Sequence, residues 1–221
     1  MGNIRNQNLD LLKHRVSKWD DFNGFRIFSA YNYAPFYSGS LSQEYLKIRL
    51  LVWRFKNDSP FITEQMHNEA LDSVVILLSE ILKRTFGELL TNLTLVCIPA
   101  SNKETHIKRY EEFSARICSF LGMQNAFPYI SILKDKTPKH LGGNDNIDMN
   151  YDFDRDYFID KNIILFDDVM TSGNSFTKFS KKLTSCQSNV IAAISIGQTY
   201  PPNQRPHLIN EFRNGHYDCE L

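Results

Sequence analysis

The chain has 221 residues, 42% of them apolar and 13% aromatic, which suits one sizeable core with a small appended part and lies far from the composition of disordered segments. Twenty-five basic residues balance twenty-five acidic ones, which excludes a global positive field for nucleic acid or an anionic membrane and leaves any anion site to be local. Cys97, Cys118, Cys186 and Cys219 stand singly with no C-x-x-C pair, so a reduced, cytoplasmic chain is expected rather than a zinc or redox motif.

The first twenty residues carry Arg5, Asp10, Lys13, Arg15 and Lys18, and the longest apolar run, Val74 to Leu78, is far shorter than the ~20 residues that span a bilayer. Neither export nor anchoring is expected. Leu9, Leu12, Val16 and Trp19 fall at helical spacing, as do Leu41, Tyr45, Ile48, Val52 and Phe55. Between these two predicted helices, Phe25 to Tyr37 is aromatic-rich and suits a short strand or an irregular cap over a cleft. Thr63 is placed to cap a long helix with Met66, Ala70, Val74, Leu77, Leu78 and Ile81 on one face, ending near Gly87.

After Gly87 the pattern changes to short apolar runs separated by helical stretches. Leu93 to Ile98, Phe127 to Leu133, Asn162 to Phe166 and Val190 to Ile196 read as strands, with helices at Thr105 to Leu121 and Asn174 to Leu183. Such alternation predicts an α/β fold, a parallel sheet of about five strands flanked by helices. Residues 1–62 are expected to form an N-terminal helical and aromatic cap and residues 63–221 the α/β domain. The polar stretch from Lys134 to Tyr157, with Pro138, Gly142 and Gly143, is expected as a lid or a disordered excursion.

One segment carries chemistry. Ile163, Ile164, Leu165 and Phe166 lead into Asp167 and Asp168, then Val169, Met170, Thr171, Ser172, Gly173, Asn174 and Ser175 before a helical pattern resumes. Two carboxylates are thereby expected at the carboxyl end of a parallel strand, the edge where open α/β sheets bind ligands. The turn after them, small hydroxyl residues around Gly173 at a helix start, suits a phosphate monoester held by backbone N–H groups. Acids beside such a cradle repel phosphate unless they face sugar hydroxyls or a metal-bound diphosphate. Phosphate, ribose and diphosphate is the order this pattern offers. Receivers carry their acid pair on an early strand and phosphatases space the two acids one residue apart, so both fit less well; the plain alternative is an acidic strand end with a Ser/Gly helix cap.

The stretch Ile163 to Ser175, IILFDDVMTSGNS, resembles the motif with which type I phosphoribosyltransferases bind 5-phosphoribosyl 1-diphosphate (PRPP). Over roughly Tyr45 to Thr199 the chain is also similar to the ComF-like subgroup, which is assigned amidophosphoribosyltransferase activity. The landmarks are Phe55-Lys56 ending a helix, Val96-Cys97-Ile98-Pro99 as a Pro-ended strand, and Arg109 opening a helix. The sequence departs from that subgroup at Tyr110, Glu111, Glu112 and Phe113, and lacks its N-terminal cysteine-rich element. The resemblance implies phosphoribosyl transfer from PRPP to a nitrogen nucleophile, with Mg2+ as cofactor, a small-molecule acceptor, and room for a homodimer.

By the same resemblance Asp167 and Asp168 hold the ribose hydroxyls and reach the metal indirectly, and the Val169 to Ser175 segment, through Thr171 to Ser175, holds the 5-phosphate. Pro99, Ala100, Ser101, Asn102 and Lys103 map to the diphosphate loop. Lys103, Lys108 and Arg109 are candidates to neutralise diphosphate, the alternative being a solvated helix start. Lys134, Lys136, Lys139 and His140 are candidate lid bases. His14, His67 and His106 lack ligand spacing. Tyr31, Tyr33, Phe36 and Tyr37 suit core packing or stacking on an acceptor, and Gly197-Gln198-Thr199 suits a ligand contact or a plain turn. Two other functions remain open: a PRPP sensor without turnover, and an effector or adaptor that uses the fold as a scaffold.

Overall fold

The computed structural model describes residues 2–34, 42–133 and 151–199. Helical spacing near the N-terminus is realised as α1 (Gly2–Arg15), and strand β1 (Asp20–Phe22) turns into β2 (Phe25–Tyr33). Helices α2 (Gln43–Lys56) and α3 (Glu64–Phe86) follow. The side chain of Thr63 accepts the Met66 N–H at 3.2 Å and caps α3, which closes at Gly87 in a positive-φ conformation. A 3-10 turn then leads into β3 (Leu93–Cys97), α4 (Lys103–Leu121) and the two-residue β4 (Gln124–Asn125). The remaining elements are β5 (Ile130–Ile132), β6 (Tyr151–Phe153), the single turn α5 (Arg155–Phe158), β7 (Asn162–Met170), α6 (Asn174–Ser185) and β8 (Asn189–Thr199).

The architecture is α/β, a six-stranded sheet in the order β1-β2-β8-β7-β3-β4 flanked by helices. Every pair is parallel except β1 with β2, so five parallel strands carry one antiparallel edge strand. The expected strand at Phe127 to Leu133 is not among them. Pro128 has no N–H for a ladder and starts a 3-10 turn at Phe127–Tyr129, after which β5 pairs with β6 in a separate antiparallel ribbon. The aromatic N-terminal segment supplies the missing parallel strand instead, because β2 pairs with β8 from Ile27↔Ala193 to Tyr33↔Thr199. Strand β2 is thereby built into the same sheet as β8, β7 and β3.

Alternation along β7 divides the core. Ile164 and Phe166 join one apolar cluster with α1 to α4, whereas Ile163 and Leu165 join another with α6 and the β5–β6 ribbon. Phe55, fully buried near the end of α2, meets Phe113 at 5.2 Å and Phe166 at 6.0 Å between ring centroids, which anchors the end of α2 over β7. Asn57 then takes a left-handed conformation (φ 51°) and ends the helix, leaving Lys56 and Asp58 beside the carboxyl end of the sheet. Phe176, Phe179 and Leu183 place one face of α6 in the second cluster. Among the described residues no helix is long and apolar enough to cross a membrane, and Cys97, Cys118 and Cys186 are free thiols.

Candidate functional site

Strand β7 is longer than its apolar run. It continues through the acid pair to Met170, because the eleven-residue β8 keeps pairing with it at Asp167↔Ser195, Val169↔Gly197 and Met170↔Gln198. On its other edge β3 stops at Cys97↔Phe166, with one last bond from Ile98 N–H to the Phe166 carbonyl at 2.8 Å. Beyond Phe166 that edge is open, and side chains of α2 and α4 reach the acids there.

Asp168 is buried and accepts from Arg109 Nη1 at 2.7 Å on Oδ2, with Lys56 Nζ 3.4 Å from Oδ1. Arg109 Nη2 also lies 3.7 Å from Asp58, and its Nε donates to the Lys56 carbonyl at 3.5 Å. Asp167 is held differently. Its Oδ1 accepts the Tyr110 hydroxyl at 3.1 Å and the Asp168 N–H at 2.8 Å, while Oδ2 has no hydrogen-bond partner among the described residues. Burial, and next the neighbouring Asp168 charge, push the Asp167 carboxyl up to about 7. Burial and the same acid pair raise the Tyr110 phenol well above its ordinary range, so it remains a donor.

The turn after β7 begins one residue beyond Met170. Thr171 and Ser172 are exposed, and Gly173 is buried in the left-handed region (φ 68°) at the start of α6. Its carbonyl accepts the Thr177 N–H at 3.0 Å and the Thr177 hydroxyl at 3.1 Å. A glycine offers no capping side chain, and none of the described residues accepts from the N–H groups of Gly173, Asn174, Ser175 and Phe176. Four amide donors therefore stand at a helix start with the macrodipole behind them, the arrangement that favours an anion.

The segment after Pro99 is partly committed to its own helix. Ala100 packs on the core, and Asn102 Oδ1 caps α4 by accepting the Thr105 N–H at 2.8 Å. Lys103 is exposed at the first turn of α4 and lines an open cleft of about 970 Å³ with Asp58, Ser59, Ile62 and Ile107. Lys108 pairs with Glu104 at 2.7 Å. His67 bonds the Arg54 carbonyl, and Tyr31 is buried in the core with Tyr33 packed against it, so these residues act in packing. Gly197, Gln198 and Thr199 belong to β8 rather than to a turn, and a Cβ at Gly197 would lie 2.8 Å from that of Tyr33. Lys134, Lys136, Lys139, His140, Phe36 and Tyr37 lie outside the described residues.

Sequence reasoning missed Lys56 and Tyr110 as neighbours of the acids and Asp58 as a neighbour of Arg109, and no local spacing connects them to partners more than fifty residues on. His106, which lacks ligand spacing, is a core histidine: it is buried with both ring nitrogens unpartnered among the described residues, stacked on Phe127 at 4.9 Å between centroids and edge-on to Tyr110. The β1–β2 hairpin was legible, because Asn23-Gly24 between Phe22 and Phe25 is a strong two-residue turn signal. No group of three metal-binding side chains occurs among the described residues. No family model and no curated protein matches the chain.

Proposed function

We propose that the chain binds PRPP at the carboxyl edge of β7 and transfers its phosphoribosyl group to a small nitrogen nucleophile, releasing diphosphate. The observation that carries this reading is the juxtaposition of an acid pair, Asp168 buried and Asp167 half-buried, with a turn that begins three residues after Asp168 and whose four amide donors lack acceptors among the described residues. A phosphate monoester suits those donors, and the ribose next to it brings hydroxyls that an ionised carboxylate accepts. The resemblance of residues 163–175 to the type I phosphoribosyltransferase motif supports the same assignment.

On this reading Asp167 is the residue that meets the ribose, since its Oδ2 is uncommitted. Arg109 is the cation for the leaving diphosphate, and it must exchange Asp168 for that anion as the ligand enters. The bond that breaks is C1–O to diphosphate, through an oxocarbenium-like state, so the protein's task is to hold the sugar still and to stabilise the leaving charge. Mg2+ fits the donor chemistry in an indirect manner: one or two carboxylates complete a shell made mostly of water and substrate oxygens, and Asp167, whose Oδ2 accepts from none of the described residues, is the one available. When bound it would offset charge on the diphosphate.

A sensor without turnover is the second reading. It is favoured by the internal satisfaction of Asp168 by Arg109 and of Asn102 by its own helix, which leaves fewer groups to act on the leaving diphosphate. The test is a pair of measurements. PRPP with Mg2+ raises the melting temperature of the wild-type protein and raises that of Asp167→Asn much less. Diphosphate release is then assayed with ammonia, glutamine and a panel of purine and pyrimidine bases. Binding without release with any acceptor selects the sensor, and no melting shift removes PRPP altogether and leaves the scaffold.

A further inference from the structure

The turn that begins α6 is not free on all sides. Strands β1 and β2 are joined by Asn23 and Gly24, both at positive φ (55° and 77°), a mirror-image two-residue turn in which Asn is among the few side chains tolerated. The Gly24 N–H donates to Asp21 Oδ1 at 3.0 Å, which stiffens the tip. That tip lies along the start of α6. Phe25 stacks on Phe176 at 6.4 Å between centroids, and the Phe22 ring stands 3.0 Å from where a Cβ would be at Gly173. Between these two contacts Asn23 Nδ2 donates to the Ser172 carbonyl at 2.9 Å.

A planar trans peptide sets C=O and the following N–H in opposite directions. With the Ser172 carbonyl drawn to Asn23, the Gly173 N–H points away from the hairpin, and none of the described residues accepts it. A glycine after this peptide makes its reversal easy, because φ at Gly173 can change sign without a steric cost. Reversal would turn a carbonyl oxygen toward any anion at the turn and remove one of its donors. We infer that Asn23 sets the orientation of the Ser172–Gly173 peptide and so acts as a positioning residue for a phosphate monoester held at the start of α6. The inference rests on reading that turn as the 5-phosphate site, and it adds the β1–β2 hairpin as the part that keeps the site in its binding form.

The experiment compares Asn23→Asp, which keeps size and tolerance of positive φ but cannot donate when ionised, with Asn23→Gly, which keeps the backbone and deletes the donor. Calorimetry with inorganic phosphate, ribose 5-phosphate and magnesium diphosphate is paired with the 1H–15N resonance of Gly173. The expected result is about a tenfold loss of affinity for phosphate and ribose 5-phosphate in both variants. Diphosphate binding is unchanged, and the phosphate-induced shift of the Gly173 amide seen in the wild type disappears. Variants that bind phosphate as the wild type does overturn the inference alone. Tighter binding overturns it too, by making the hairpin an obstruction, and an equal loss of diphosphate binding assigns Asn23 a general structural role. Wild-type protein that binds neither phosphate probe removes the site itself and the inference with it.

Discussion

Arg109 Nη1 donates to Asp168 Oδ2 across 2.7 Å and ties the second turn of α4 to the open edge of β7, with the two side chains only 12% and 6% exposed. A buried ion pair of this kind contributes little against a well-packed apolar pair, yet losing one partner strands the other. Arg109→Met is therefore expected to cost about 3–5 kcal/mol in urea unfolding, even with Lys56 still 3.4 Å from Asp168. Arg109→Met combined with Asp168→Leu should recover most of that loss. A single variant within about 1 kcal/mol of wild type would show the pair to be solvated.

Two groups near this pair, the buried His106 and the half-buried Asp167, titrate with opposite effects. Burial, and then the Arg109 cation, hold the His106 imidazole down at about 4, so its contribution is present above 6.5 and is lost as pH falls from there toward 4. Asp167, raised to about 7 from an ordinary value near 3.8, does the reverse, and its ionisation costs stability progressively as pH rises through that window. In the wild type the two slopes oppose each other between about pH 4 and 6.5. His106→Phe should uncover a melting temperature that falls from pH 4 to 7. Asp167→Asn should uncover one that rises from pH 4 to 6.5, and should melt higher than wild type at pH 8, by about 2–4 °C per kcal/mol. Parallel profiles for all three proteins would place neither group in the burial described.

Gly173 and Gly24 share positive φ but not surroundings. A Cβ at Gly24 meets nothing within 4 Å, whereas at Gly173 it meets the Phe22 ring at 3.0 Å. Gly24→Ala is expected to cost about 1 kcal/mol for backbone conformation alone, and Gly173→Ala more. In Phe22→Ala the excess should vanish, leaving the two glycine substitutions equal. An excess that persists without the ring would assign it to the backbone of the turn instead.

The phenol of Tyr110 lowers the Asp167 carboxyl by donating to Oδ1, in opposition to burial. Tyr110→Phe should therefore move the Asp167 carboxyl, followed by 13C NMR, further upward. If PRPP binds as proposed, it should bind more tightly as pH rises through about 7, where Asp167 ionises. The same titration in Asp167→Asn retains only the dependence due to the ligand's own phosphates, which lose their second proton near pH ~6.

Local patterns determined a good part of the molecule. Thr63 with its cap, the apolar face of α3, the Pro-ended β3, and the sequence from acid pair to Gly173 turn to α6 are all short-range matters of propensity and period, and each is seen where the residues put it. The Asn23-Gly24 turn was equally legible and passed unread amid the aromatic residues around it. Other features depended on what lies beside a segment in space. Phe127 to Leu133 has the composition of a sheet strand, but Pro128 and pairing with Tyr151–Phe153 drew it into a separate ribbon, and Phe25 to Tyr33 took up the vacant edge of β8. The length of β7 was decided by β8 on one side and the end of β3 on the other.

The sequence by itself determined which residues are the acids, the turn and the helix that follows, because those are neighbours in the chain. Only the tertiary structure decided what the acids touch. Arg109, Tyr110 and Lys56 come to Asp168 and Asp167 over separations of more than fifty residues, and Asn23 comes to Ser172 over 149. Those contacts follow from how α2, α4 and the β1–β2 hairpin pack on a twisted sheet, and packing is a property of the whole core that no local spacing encodes.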